Sequence, residues 1–283
     1  MSEEEIDIIN NANISANSKK TYVYSYERLM VLTDNVPISN VSEKRMVKIL
    51  KDSDAPANSI NVMLSVVLMI RREREQSIDL LLKFKGNKLV KKMDIEKMEK
   101  NDELVKTLPS YDTYLVYVND LYKQKKWRSY IVNYLLITYG VRNMDLNLII
   151  TRDKYAVSKR RGNNQVNYLY VTKKYIKLVR NIYKTSSSYG RKEDTIYSTK
   201  FMYAVNELLA DQFEAPLLNV EEQSVGQTIR AMTYNSIAEG GVYKVITAHY
   251  KSQGNINKLK ALAESRGHLV DTQMGYYDIS NTN

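Results

Sequence analysis

The sequence predicts a mainly α-helical chain of two domains, with one small antiparallel β-sheet in the second. Three observations carry this. Apolar residues recur at helical spacing through most of the 283 residues. One stretch, Lys154 to Val171, is instead β-rich and is broken by a basic, turn-forming tip. A highly charged run without strong period, Lys91 to Lys106, ends at Leu108-Pro109-Ser110 and divides the two helical regions.

The elements follow in order. Residues 1–14 begin Met1-Ser2-Glu3-Glu4-Glu5, are polar and Asn-rich, and read as a flexible tail. Ser15 to Lys19 offers caps for a helix whose Tyr22, Tyr26, Leu29 and Met30 share a face. Ser42 starts a second helix, with Met46, Ile49 and Leu50 inward. Pro56 and Ser59 precede a third, striped by Ile60, Met63, Leu64, Val67 and Leu68. A short helix over Ile78 to Phe84 completes a small helical domain, residues 15–95. Residues 96–109 read as a linker and 110–283 as the second domain. There Ser110 caps a helix through Tyr114 and Leu121. Another runs from Trp127 to Tyr139 and stops at Gly140. Two β-rich runs, Lys154 to Val157 and Val166 to Val171, are expected to form a hairpin whose tip is Lys159-Arg160-Arg161-Gly162-Asn163-Asn164. After Thr172 the pattern through Ile176, Val179 and Ile182 reads as helix, and further helices are expected over 198–210, 224–239 and 256–266. The segment from Gly240 to Asn257, with His249, reads as a loop.

Composition narrows the function. The formal net charge is +10, which favours a polyanionic partner because Lys and Arg displace counterions from phosphates. The basic run Arg71, Arg72 and Arg74 and the tip cations Arg160 and Arg161 are candidate DNA contacts. Cysteine is absent and there are two histidines, His249 and His268, so thiolate chemistry and Cys-based zinc sites are excluded and no metal site is expected. No apolar window is long enough to span a bilayer. The chain reads as soluble and intracellular, without a membrane partner. There is no P-loop, no Rossmann fingerprint and no clustered acidic pattern of a two-metal phosphodiesterase, so no cofactor is expected.

Phosphoryl transfer without metal needs a side-chain nucleophile, cations on the non-bridging oxygens and a proton donor for the leaving oxygen. The second domain contains these in sequence: Gly140-Val141-Arg142-Asn143-Met144-Asp145-Leu146; Lys159 at the expected hairpin tip; Gln227-Thr228-Ile229-Arg230; and Gly267-His268, with Tyr277 nine residues after the histidine. Each has a plainer reading. Arg142 with Asp145 could be a helix-surface ion pair, His268 a helix C-terminal cap beside Gly267, and Lys159 a solvated turn lysine. Lys154, Arg160 and Arg161 compete with Lys159, and Tyr276 with Tyr277.

Taken together, this order of motifs resembles the phage-integrase, or tyrosine recombinase, family, which has G-x-R-x-x-E/D-L, a hairpin lysine, H-x-x-R, and G-H followed nine residues later by tyrosine. The helical N-terminal domain resembles the family's core-binding domain. The resemblance implies a C-shaped clamp on double-stranded DNA, a monomer off DNA and a homotetramer in the synaptic complex. It implies that Tyr277 forms a 3′-phosphotyrosine link, Arg142 and Arg230 bind non-bridging oxygens, Lys159 protonates the departing 5′ oxygen, and His268 assists at the phosphate. Asp145 would hold Arg142 in place. The chain departs from the family pattern in having Gln227 where H-x-x-R begins, in the long gap from Arg230 to His268, and in the six residues after Tyr277. The long gap is similar to that of viral type IB topoisomerases, which share this catalytic fold. A topoisomerase, or a catalytically silent DNA-binding protein on the same fold, are the alternatives to a site-specific recombinase.

Overall fold

Helix starts fall where short polar side chains can satisfy the first free backbone N–H groups. Ser15, Ser42, Ser110 and Ser198 accept from the amides of Ser18, Arg45, Thr113 and Phe201, and Asn255 accepts from Lys258. These caps are seen in a computed structural model that describes residues 2–159, 162–221 and 224–267. The chain divides into two compact units, residues 1–101 and 102–283.

The first unit is helical. It contains α1 (Glu3–Asn11), α2 (Ala16–Leu32), α3 (Glu43–Asp52), α4 (Ala57–Glu73) and α5 (Asp79–Phe84), which passes through a π-helical turn, Lys85–Leu89, into α6 (Val90–Val105). Helix α4 is the centre. Ile60, Met63, Leu64 and Val67 are buried as the stripe predicts, and so are Val66 and Ile70 on its other sides, as expected of a helix surrounded by partners. Two expectations are corrected. The supposed tail is largely helix α1, with Ile9 and Glu5 fully buried. The Glu5 carboxylate accepts from Tyr26 Oη at 2.9 Å and from the amides of Ile38 and Ser39 at 3.1 and 2.8 Å, so three donors offset the cost of its burial. The segment expected as a linker, 96–109, is mostly the continuation of α6.

The second unit begins with α7 (Tyr111–Lys123) and α8 (Trp127–Tyr139), then a 3-10 turn, Asn143–Leu146. Its sheet comprises β1 (Leu148–Thr151), β2 (Asn167–Val171), β3 (Ile176–Arg180), β4 (Lys192–Ile196) and β5 (Glu214–Pro216), in the spatial order β4-β3-β2-β1-β5. The helices are α9 (Ser186–Tyr189), α10 (Thr199–Leu209), α11 (Val225–Met232), α12 (Glu239–Ser252) and α13 (Ile256–Arg266). The fold class is therefore mainly α with a small sheet.

That sheet is mixed rather than wholly antiparallel, because β1 and β2 run parallel, Leu148 opposite Asn167. The run Lys154 to Val157 is a series of turns and not a strand. It belongs to the connection that a parallel pair requires. The connection covers one face of the sheet, where Val157 packs with Tyr168 and Val179. The other face, through Leu148, Ile150, Leu169, Ile176 and Leu178, joins α7, α8 and α10 in the main core. The expected helix through Ile176 and Val179 is strand β3. Both of its faces are covered, so Leu178, Val179 and Arg180 are buried in succession and period 2 is erased. The expected loop 240–257 is mostly α12, whose Val242, Tyr243 and Ile246 enter the core. His249 lies on that helix and stacks on Tyr111 with ring centroids 3.8 Å apart.

Candidate active site

Helix α8 ends at Gly140 in the left-handed conformation, φ 58° and ψ 29°, with its amide bonded to the Leu136 carbonyl. A Cβ at Gly140 would lie 2.8 Å from Cε2 of Tyr243, so both conformation and space require glycine here. The chain then turns through buried Val141 to Arg142, which is extended (φ −95°, ψ 165°) and 9% exposed. Asp145 reaches back, and its Oδ2 accepts the Arg142 amide at 2.9 Å. The pair is thus not on a helix surface. Asp145 is 1% exposed, and it fixes the backbone from which the Arg142 side chain departs.

Further cations surround this turn. Arg180, at the end of β3 and 1% exposed, lies 3.6 Å from the Asp145 carboxylate and 2.8 Å from Asp194 of β4. Burial raises the Asp145 pKa above the ordinary carboxylate value. The Arg142 amide, Arg180, Arg142 and Arg266 act in the opposite direction. Lys192 of β4 donates to the carbonyl of Glu264 and, at 3.4 Å, to that of Ser265, with its ammonium 5.0 Å from the Tyr183 ring centre. Burial and then Arg180 lower its pKa.

The far end of the sequence meets this turn. At the close of α13, Ser265 Oγ donates to the Tyr139 carbonyl at 2.6 Å, and Arg266 Nε donates to the Gly140 carbonyl at 2.7 Å. Arg266 also pairs with Glu239 and lies over the Tyr243 ring at 3.8 Å. Gly267 caps the helix at φ 63°, where a Cβ would fall 2.1 Å from Thr185 Oγ1. His268, Tyr276 and Tyr277 lie beyond it, outside the described residues, as do Arg160 and Arg161.

The remaining expected residues separate into groups. Gln227 and Arg230 lie one turn apart on α11 and are exposed. Arg230 Nε donates to the Ser236 carbonyl at 2.7 Å. The start of α11 abuts the 3-10 turn, where a Cβ on Gly226 would sit 3.4 Å from Asn143 Nδ2. A cleft of about 540 Å³ opens there between Asn143, Asn167, Val225 and Gly226. Lys159 is exposed and borders an open recess with Asn164, Ser186 and Arg191. It is not on a hairpin. The antiparallel hairpin of this region is β2–β3, and its turn, Thr172-Lys173-Lys174-Tyr175, exposes Lys173 and Lys174 while Thr172 and Tyr175 close it through 2.6 and 3.0 Å hydrogen bonds.

Arg71 is corrected as a DNA contact. It is 6% exposed, and it donates to the carbonyls of Ser77 and Val41, both at 2.9 Å. Arg74 pairs with Glu4 at 2.6 Å, and Arg72 is exposed. Sequence reading missed Arg180, Lys192 and Arg266. Arg266 stands directly before Gly267-His268, the one local sign available.

Among the described residues no helix is long and apolar enough to cross a membrane, and no group of three or more His, Asp or Glu side chains could hold a metal ion. No family model matches the chain, and no curated protein matches it significantly. Among solved structures, the crystal structure of XerA recombinase is similar at 10% sequence identity, over 97% of this chain and 93% of the other, with a TM-score of 0.32. A likeness at that score carries no weight for fold or activity.

Proposed function

We propose that this chain cuts and rejoins double-stranded DNA through a covalent tyrosine intermediate, as a site-specific recombinase. The observation that carries the reading is the hydrogen bonding of Ser265 and Arg266, just before Gly267-His268, to the carbonyls of Tyr139 and Gly140, just before Arg142. The approaches to the two motifs, Ser265-Arg266 and Tyr139-Gly140, are neighbours in space, in a region rich in arginine.

In this reading the Tyr277 hydroxyl oxygen attacks the scissile phosphorus and its proton passes to His268 or to water. A bond forms from phosphorus to the tyrosine oxygen and the bond from phosphorus to the 5′ oxygen breaks. Arg142 and Arg230 stabilise the charge on the non-bridging oxygens, with His268 beside them. A lysine gives its proton to the departing 5′ oxygen. One phosphodiester replaces another, so the reverse attack by a 5′ hydroxyl needs no external energy. The hairpin lysine of the family pattern corresponds here to Lys173 or Lys174 at the β2–β3 turn, with Lys159 as the other candidate. Arg72 and the tip cations Arg160 and Arg161 are phosphate contacts, and the first unit serves as the core-binding domain.

The test uses nicked suicide duplexes and supercoiled plasmid. The wild-type chain should yield a covalent protein–DNA adduct that persists in EDTA without ATP. Tyr277→Phe should bind duplex DNA with unchanged affinity and give no adduct, and Tyr276→Phe should still give it. Adduct that survives in Tyr277→Phe, or that forms only with added Mg²⁺, would sink the assignment. Exchange between two sites by a tetramer supports recombination, whereas relaxation of plasmid by a monomer assigns the chemistry to a topoisomerase.

A further inference from the structure

We infer that Arg180 is a positioning residue that locks the end of α13 to the turn carrying Arg142, and so sets where the segment beginning at His268 starts relative to that arginine. The inference rests on the proposed function for its consequence, though not for its geometry.

The geometry begins with an expensive group. A guanidinium buried to 1% exposure needs acceptors, and those that meet the two terminal nitrogens of Arg180 come from separate elements. The Asp145 carboxylate, 3.6 Å away, belongs to the 3-10 turn and holds the Arg142 amide. Asp194, at 2.8 Å, belongs to β4. The Ser265 carbonyl, at 2.9 Å, belongs to the last turn of α13. A planar fork can address these directions at once, and a lysine ammonium cannot do so with the same geometry. The lock is reciprocal. Arg180 and Lys192 donate to the free carbonyls of Ser265 and Glu264 at the helix C-terminus, where cations are favoured. The same last turn of α13 sends Ser265 Oγ and the Arg266 guanidinium into the carbonyls of Tyr139, Gly140 and Val141. A residue that only filled core volume would have no reason to join Arg142's own support to the entry of the histidine–tyrosine segment.

The lock predicts a pH signature. The charged groups around Asp145 are Arg142 from its own turn, Arg180 from β3, Lys192 and Asp194 from β4, and Arg266 from α13, the last paired with Glu239 of α12. Removing Arg180 takes away a cation that favours ionised Asp145. The carboxyl then takes up its proton at a higher pH. Since the ionised carboxylate is what holds the Arg142 amide, the inference expects cleavage to be lost as Asp145 is protonated, and that loss to move to higher pH in the variant.

The experiment uses the full chain with Arg180→Lys, Arg180→Met and Asp194→Asn. Duplex affinity, the rate of adduct formation at saturating DNA across pH, and amide hydrogen exchange are measured. Arg180→Lys should bind DNA as the wild type does and form adduct about 100-fold more slowly, the scale of loss from a displacement near 1 Å. Arg180→Met should also displace the acid limb to higher pH, and exchange should accelerate jointly over residues 140–146 and 259–266. If Arg180→Met does not fold, the joint acceleration is read in Asp194→Asn. Wild-type adduct rates in the variants, or a loss equal at every pH, overturn the inference. If the wild-type chain itself forms no adduct, the activity reading fails and exchange alone judges the lock: joint acceleration upholds it, and acceleration in one segment or across the whole unit overturns it.

Discussion

Gly140 ends α8 in the left-handed conformation and is pressed by the Tyr243 ring. Gly140→Ala should destabilise the second unit by about 2–4 kcal/mol, combining left-handed strain with a core clash. Urea unfolding checks this, and a change under 1 kcal/mol (about a fivefold change in the folding equilibrium) would mean that the turn relaxes freely. Arg142 and Asp145 were legible as a pair, but not the form of their contact, because spacing does not say whether a carboxylate holds a guanidinium or an amide. The lysine was the least legible. Lys159 stood in a basic, glycine-containing tip that looked like a hairpin turn, whereas Lys173-Lys174 lay inside a run whose flanks, Val171 and Ile176, are the paired ends of β2 and β3. The general acid can be identified by chemistry. A substrate with sulfur in place of the bridging 5′ oxygen needs no proton on its leaving group, since a thiolate leaves unaided. Replacing the true acid by alanine should slow cleavage of ordinary DNA by about 100- to 10,000-fold and leave the sulfur substrate nearly unaffected. Such rescue in Lys173→Ala or Lys174→Ala, and not in Lys159→Ala, is the expected result. The reverse pattern would return the role to Lys159.

At the scale of elements, the sequence disclosed the helices rich in apolar residues and concealed those whose mark is a buried carboxylate or a pair of glycines. Helices α2, α3 and α7 follow their periodic stripes and serine caps, and α4 and α8 follow their apolar runs without such caps. Helix α1 was missed because Glu3, Glu4 and Glu5 resemble a solvated tail, and hydrophobic periodicity cannot register a buried carboxylate. Yet Glu5 is what docks α1: it gathers Tyr26, Ile38 and Ser39, and the Tyr26 phenol is pushed up to about 12, first by burial and then by the Glu5 bond, while the Ser2 amide acts in the opposite direction. Glu5→Ala leaves two buried amides and a phenol without their acceptor. It should cost about 2–4 kcal/mol and expose α1 to proteolysis. Unaltered thermal unfolding together with unaltered proteolysis would show α1 to be dispensable. Helix α12 was concealed by Gly240-Gly241, which read as a loop. Gly241 in fact lies where a Cβ would come within 3.2 Å of Leu108, so it marks close packing. Strand β3 was concealed because both of its faces are covered, and continuous burial has no period.

For the whole molecule, the division into two units was legible near the charged stretch that begins at Lys91, although that stretch is helix through Val105. Net charge makes the broadest prediction. Duplex affinity should fall linearly with salt on a logarithmic plot, and each lost phosphate contact should flatten the slope by roughly 0.9. Arg72→Ala should flatten it, whereas Arg71→Ala, which removes two internal hydrogen bonds, should lower stability and leave the slope alone. A flat salt response of the wild-type chain would remove the case for a phosphate-rich partner. The bonds from Ser265 and Arg266 to Tyr139 and Gly140 span 126 residues of sequence. On a ribosome the turn that presents Arg142 emerges long before the residues that brace it. Its carbonyls stay without these donors until α13 has left the exit tunnel and docked. Vectorial synthesis therefore forms the arginine turn first and supplies its support only after a further 126 residues have been added.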